Sequence, residues 1–138
     1  MSKPLRLVLV DDHEMVLHGL DAMLRQFPDR VEIAGSATTA SAALGLVAAE
    51  KPDIVLADVR IGRESGLDLT RQIATAHPAT KVVMLTVYDD EHYLFQALRV
   101  GASGYVLKHA TPDELLSAIR TADAGDAPLD PKDRKSVV

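Results

Sequence analysis

Three aspartates, a threonine and a lysine each stand directly after a short apolar run. Asp11 and Asp12 follow Leu5-Arg6-Leu7-Val8-Leu9-Val10, Asp58 follows Asp53-Ile54-Val55-Leu56-Ala57, Thr86 follows Lys81–Leu85, and Lys108 follows Gly104–Leu107. Such runs are those of β-strands buried on both faces, where a carboxylate is costly unless a cation meets it. Three acids delivered to one sheet edge suit Mg²⁺, which prefers oxygen ligands and keeps several waters. The backbone carbonyl of Arg60, just past Asp58, is a further candidate ligand. The chemistry this set fits is phosphoryl transfer to a carboxylate. A metal and an ammonium on the phosphoryl oxygens relieve the repulsion an attacking carboxylate meets, and a hydroxyl donates to a third oxygen. Asp58 is the expected nucleophile, Asp11 and Asp12 the metal holders, and Thr86 and Lys108 the phosphoryl partners.

These residues converge only if their strands lie in one sheet. Five β-rich runs, Leu5–Val10, Val31–Ser36, Ile54–Ala57, Lys81–Leu85 and Gly104–Leu107, alternate with stretches whose apolar residues recur at helical spacing. The helical stripes are Val16, Gly19, Leu20, Met23 and Phe27; then Ala43, Leu46 and Val47; then Leu69, Ile73 and Ala76. Leu94, Ala97, Leu98 and Gly101 form the fourth, and Leu115, Ala118, Ile119 and Ala122 the fifth. Thr111-Pro112-Asp113-Glu114 opens the last helix with a capping hydroxyl, a proline at the first position and a glutamate three residues after the cap. Strands and helices alternating at this length imply right-handed crossovers and a parallel sheet, so the expected fold is a doubly wound α/β (βα)5 domain. In such a sheet ligands bind beyond the carboxyl ends of the strands, where the five residues fall.

Bulk composition narrows the classes. The chain has 138 residues, 47% apolar and 25% charged, which is one soluble domain with a real core. A formal net charge of −5 argues against non-specific binding of nucleic acid or anionic membrane by this domain. With no cysteine there is no thiol catalysis, disulfide or cysteine zinc site. No apolar run approaches the ~20 residues of a membrane helix or forms a signal sequence, so cytoplasmic residence is the expectation. After Ala124 the periodicity stops, which divides the chain into a domain over residues 1–124 and a linker or tail over 125–138.

The segments Val8-Leu9-Val10-Asp11-Asp12-His13, Val55-Leu56-Ala57-Asp58-Val59, Met84-Leu85-Thr86 and Gly101-Ala102-Ser103-Gly104-Tyr105-Val106-Leu107-Lys108 resemble the receiver domain of two-component response regulators. The likeness runs from about Leu5 to Ala124. Asp11-Asp12-His13, Thr86-Val87-Tyr88-Asp89-Asp90 and Pro128-Leu129-Asp130-Pro131 look most like regulators with a helix-turn-helix DNA-binding output domain of the NarL/FixJ kind. The resemblance implies a flavodoxin-like fold with strand order 2-1-3-4-5 and Mg²⁺ as cofactor. It also implies a sensor histidine kinase as phosphoryl donor to Asp58, and a homodimer that forms on phosphorylation. The dimer is expected through the first and fifth helices or the fourth-helix face, with DNA bound only through an output domain absent from this chain. Tyr105 matches the aromatic switch that turns inward as Thr86 moves toward the phosphate. Arg60 and Tyr88 occupy the two positions that tune how long the acyl phosphate survives.

Two positions depart from the common receiver pattern. Gly62 stands where many receivers have proline, four residues after the phosphorylated aspartate, and His109 replaces the proline that often follows the lysine. Several readings without chemistry stand beside these. Asp11 and Asp12 can serve as caps of the first helix. His13 reads as a solvated helix-start residue, because Mg²⁺ prefers oxygen, and His18, His77, His92 and His109 read as surface residues. Tyr93, Phe95 and Leu116 fall off the buried stripes. A metal-dependent hydrolase of the haloacid dehalogenase kind needs a second acid two residues after the nucleophile, where Arg60 stands. A module that takes no phosphoryl group is the other alternative.

Overall fold

The computed structural model describes residues 3–87 and 91–125, with the side chain of Glu91 outside that description. Five main strands, β1 (Leu5–Val10), β2 (Val31–Ala37), β3 (Ile54–Asp58), β6 (Lys81–Thr86) and β7 (Gly104–Leu107), form one parallel sheet in the order β2-β1-β3-β6-β7. Counted among the main strands alone, that is 2-1-3-4-5, the flavodoxin-like order. Helices α1 (Glu14–Leu24), α2 (Ala40–Glu50), α3 (Gly66–Ala76), α4 (Glu91–Arg99) and α5 (Pro112–Asp123) make the crossovers.

Period-two alternation along the central strands sorts their side chains between two cores. Val8, Val10, Val55, Ala57, Val82 and Met84 face one side, where Ala43 and Val47 of α2, Leu69 and Ile73 of α3 and Ala97 of α4 cover them. Leu7, Leu9, Ile54, Leu56, Val83 and Leu85 face the other, against leucines of α1 and Leu115, Ile119 and Ala122 of α5. Both faces of β1 and β3 are therefore dry, which explains their unbroken apolar runs. The sheet edge is left as the place where polar groups at strand ends can be used. Among the described residues no helix is long and apolar enough to cross a membrane.

The α5 start is as the sequence predicts. Thr111 Oγ1 accepts the Glu114 N–H at 3.2 Å, and Glu114 Oε1 accepts the Thr111 N–H at 2.8 Å. Three expectations need correction. The buried face of α1 is Leu17, Leu20 and Leu24, with Val16, Met23 and Phe27 only partly buried and Gly19 exposed. The sequence offers two overlapping helical stripes there, and the leucine stripe meets the sheet. Leu116 is buried with the α1 leucines, because α5 turns a wider face inward than one stripe. Tyr93 is half-buried against the α3–α4 side of the core, while Phe95 is exposed as expected.

A feature without sequence periodicity follows Asp58. Two-residue strands β4 (Arg60–Ile61) and β5 (Glu64–Ser65) pair antiparallel around Gly62, which has φ +63°. Glycine adopts that backbone conformation without a Cβ penalty, which is a reason for its presence where many receivers carry proline. The Lys108–His109 peptide is trans, since the described residues hold no cis bond. Of the expected linker over residues 125–138, all but Gly125 lies outside the described residues, as does Tyr88.

Candidate phosphoryl-acceptor site

Strand register gathers the predicted residues. β1 and β3 are hydrogen-bonded neighbours, with Val10 opposite Ala57, so the acids that follow emerge side by side. Asp58 pairs with Leu85 and Thr86 pairs with Leu107, which places Thr86 and Lys108 at the same edge. Lys108 donates its backbone N–H to the Thr86 carbonyl at 2.8 Å, which fixes where its side chain departs. Its Nζ then reaches across to Asp11 Oδ2 at 2.8 Å and Asp58 Oδ2 at 2.9 Å. This bridge over 97 and 50 residues of sequence is what joins the site.

The three bridged groups are largely shielded from water. Asp11 is fully buried, the Asp58 side chain is 13% exposed and the Lys108 side chain 20%. Burial pushes the Asp58 carboxyl above its ordinary value of 3.8, with the Asp11 charge adding to the rise; the hydrogen bond and charge of Lys108 oppose it without cancelling it. Burial alone lowers the Lys108 ammonium, but hydrogen bonds and charges from Asp11 and Asp58 outweigh it and hold the ammonium above its ordinary 10.5.

That rise in Asp58 has a consequence for stability. Between pH 3.8 and the raised value, folded Asp58 keeps a proton that the unfolded chain releases, so stability falls as pH rises through that window. At neutral pH the ionised carboxylate weakens the metal-free fold. Asp58→Asn is therefore expected to raise the melting temperature of metal-free protein by on the order of 3 °C, read by calorimetry at pH 7. A lower melting temperature would contradict this electrostatic picture.

Asp12 and His13 complete the pocket. Asp11 Oδ1 accepts the His13 backbone N–H at 2.9 Å, and His13 is the N-cap of α1 with no side-chain cap bond. The N-cap position is thus taken by His13, and Asp11 holds the backbone N–H of that residue from two positions before it. His13 is 68% exposed, yet its Nδ1 stands 3.3 Å from Asp11 Oδ1 and 3.2 Å from Asp12 Oδ1. It is solvated and also part of the acid cluster, a contact that its position beside two acids alone did not reveal.

Arg60 lies at the start of β4, and its N–H approaches Asp58 Oδ1 at 3.4 Å. Thr86 is buried at the end of β6, and Tyr105 is half-buried on β7 opposite Met84. Gly66 was not singled out by its sequence. Its N–H donates to the Val59 carbonyl at 2.7 Å, and a Cβ on it would lie 1.8 Å from the Asp58 carbonyl oxygen. The visible signal was Ser65-Gly66 before a helical pattern, and Ser65 does cap α3 through the Asp68 N–H.

The family model described as "Response regulator receiver domain" matches residues 7–120. The chain belongs to the response regulator receiver family. The receiver domain is 41% identical over 135 residues to the oxygen regulatory protein NreC of Staphylococcus carnosus, covering 97% of this chain and 62% of that protein. The Staphylococcus haemolyticus NreC is 39% identical over the same length. The chain thus spans about three-fifths of the curated relatives it matches. Among solved structures, the receiver domain of the putative response regulator NarL from Mycobacterium tuberculosis is 29% identical with a TM-score of 0.84, covering 90% of this chain and 99% of that one. A LuxR-family two-component response regulator from Aurantimonas sp. SI85-9A1 is 31% identical, with a TM-score of 0.84 and coverage of 91% and 89%. The receiver is thus similar to those of NreC and NarL, and its fold is that of the family.

Proposed function

We propose that this receiver domain accepts a phosphoryl group on Asp58 from a sensor histidine kinase, catalysing only its own phosphorylation and dephosphorylation. The single observation that supports this most is Lys108 Nζ bridging Asp11 and Asp58 at 2.8 and 2.9 Å. One ammonium serves two carboxylates, with Asp12 close by, so the pocket has an excess of negative charge that a hard divalent cation fits. Asp11, Asp12, Asp58 and the Arg60 carbonyl would hold Mg²⁺, an all-oxygen set of the kind that ion prefers. When bound, it supplies positive charge to the phosphoryl oxygens.

The residues of the chain do the rest. Asp58 attacks phosphorus, forming the carboxylate O–P bond as the P–N bond to the donor imidazole breaks. Lys108, tethered at Asp11, keeps an ammonium beside the oxygens where charge develops. Thr86 offers its hydroxyl to another phosphoryl oxygen. As it moves, Tyr105 turns inward and the face of α4, β7 and α5 changes, which favours a homodimer. DNA binding belongs to an output domain outside these residues and makes the whole a transcription regulator. Arg60, exposed beside Asp58, shields the acyl phosphate, and Tyr88 is assigned the same role; loss of phosphoryl label is expected to be faster in Arg60→Ala than in wild type, and an unchanged lifetime would count against the shield.

The test is incubation with acetyl phosphate and Mg²⁺, read by intact mass. One phosphoryl adduct per chain, absent from Asp58→Asn, is the expected result. Repeated turnover of acetyl phosphate without an adduct would favour a hydrolase, and no reaction at all would favour an inert module.

A further inference from the structure

We propose that Glu64 is a positioning residue for the phosphoryl-acceptor site: it fastens the β4–β5 hairpin to the start of α2 and so keeps Arg60 beside Asp58. The inference rests on the proposed reading of Asp58 as the acceptor and Arg60 as its shield, and names the residue that holds that shield in place. The hairpin has little to hold itself with. Its neck is closed by the Gly66 N–H donating to the Val59 carbonyl at 2.7 Å, and its ladder has two pairs, Arg60 opposite Ser65 and Ile61 opposite Glu64. A two-stranded ribbon is marginal in water even when it is longer. Residues directly opposite in such a ladder share a face, so Ile61 and Glu64 leave on the same side. Ile61 is buried in the core that α2 covers, and Glu64 stays exposed at its rim.

Helix α2 needs what Glu64 supplies. The first N–H groups of a helix have no partner within it, and its amino end favours negative charge. Thr39 Oγ1 accepts the Ala42 N–H at 3.1 Å, but the first turn of α2 contains no acidic residue. Glu64 Oε1 accepts the Ala40 N–H at 3.0 Å, from 24 residues further along the chain. One hydrogen bond therefore completes the helix start and pins the hairpin. At the other end of the hairpin, the Arg60 N–H approaches Asp58 Oδ1 at 3.4 Å. At the turn, a Cβ on Gly62 would lie 3.9 Å from Asp12 Oδ2. The hairpin thus runs along the acid edge of the site. On its far side a cleft lined by Arg63, Leu67 and Tyr93 opens toward α4, so the polar hold comes from α2.

Two measurements test this: amide hydrogen exchange of the unphosphorylated protein, and loss of phosphoryl label after loading with labelled acetyl phosphate and Mg²⁺. In Glu64→Ala, exchange at Ala40 and across residues 60–65 is expected to quicken by roughly three- to tenfold, while Gly66, bonded to Val59, keeps its protection. The label is expected to leave at least about twofold faster than from wild type, and no faster than from Arg60→Ala. Glu64→Gln keeps an acceptor oxygen and is expected to recover most of both effects. Because Glu64 acts through Arg60, adding Glu64→Ala to Arg60→Ala is expected to change the lifetime no further. Thr39→Ala removes the other bond at the α2 start and is expected to leave the lifetime unchanged. Unchanged exchange in Glu64→Ala, additive effects with Arg60→Ala, or an equal loss of lifetime in Thr39→Ala would overturn the role of Glu64. Failure of wild type to take up label would instead overturn the reading of Asp58 as acceptor, and the exchange measurement would still decide whether Glu64 pins the hairpin.

Discussion

Lys108→Ala is expected to lower the melting temperature of the metal-free protein by roughly 6–12 °C. Lys108 is the cation of a pocket whose Asp11 is fully buried and whose Asp58 is nearly so. Removing it leaves the carboxylates facing each other with no compensating charge. Breaking a buried pair by removing one partner costs about 3–5 kcal/mol. Lys108 is partly exposed, so water enters the vacated space and about 2–4 kcal/mol is the reasonable range, or roughly 3 °C per kcal/mol for a chain of this size. Mg²⁺ is expected to recover part of the loss, because it restores positive charge among the same acids. The sign of the pH dependence follows from the ammonium held above its ordinary 10.5. Its stabilisation is fully present below pH 10.5 and is lost as pH rises through the raised value, so wild type and variant converge in strong alkali. Equal melting temperatures at pH 7 would show that the bridge contributes nothing to the fold.

Gly66→Ala is expected to disable both fold and site, although it adds only a methyl group. The added Cβ would stand 1.8 Å from the Asp58 carbonyl oxygen and 2.9 Å from the Val59 carbonyl carbon. Those atoms are backbone, so no side chain can swing aside. The first turn of α3 must move away from the end of β3, breaking the 2.7 Å bond from Gly66 N–H to the Val59 carbonyl. A loss on the order of 3 kcal/mol or more is expected in urea denaturation, near the upper end of overpacking effects. Whatever fraction folds holds Asp58 displaced from Lys108, so phosphoryl uptake falls further than folded population does. Leu67→Ala, one residue on and only partly buried, is the control that should leave uptake largely intact. Uptake by Gly66→Ala equal to wild type would mean the close approach is not needed.

The architecture and most of the site were legible because both depend on position along strands. Buried parallel strands announce themselves as apolar runs, and the residue after each run must lie at the sheet's carboxyl edge, whatever the loops do. Topology then brings Asp11, Asp58, Thr86 and Lys108 to one place without any long-range information in the sequence. What was not legible is set by tertiary geometry. Leu17, Leu20 and Leu24 compete with Val16, Leu20 and Met23 for the same helix, and only the angle at which α1 meets the sheet decides between them. Leu116 is covered by a neighbouring helix, which periodicity within α5 does not reveal. The β4–β5 hairpin is too short to have a period. Gly66 and His13 matter through contacts to Asp58, Asp11 and Asp12 that no spacing rule describes.

Asp58 is the residue proposed to take the phosphoryl group, and chemical trapping reads this directly. An aspartyl phosphate treated with borohydride is reduced to homoserine at the residue that held it. After incubation with acetyl phosphate and Mg²⁺, peptide mass spectrometry is expected to find homoserine at position 58 and nowhere else, and none when Mg²⁺ is chelated. Homoserine at position 11 or 12 in place of 58, or labelling of Asp58 that is indifferent to the metal, would contradict it.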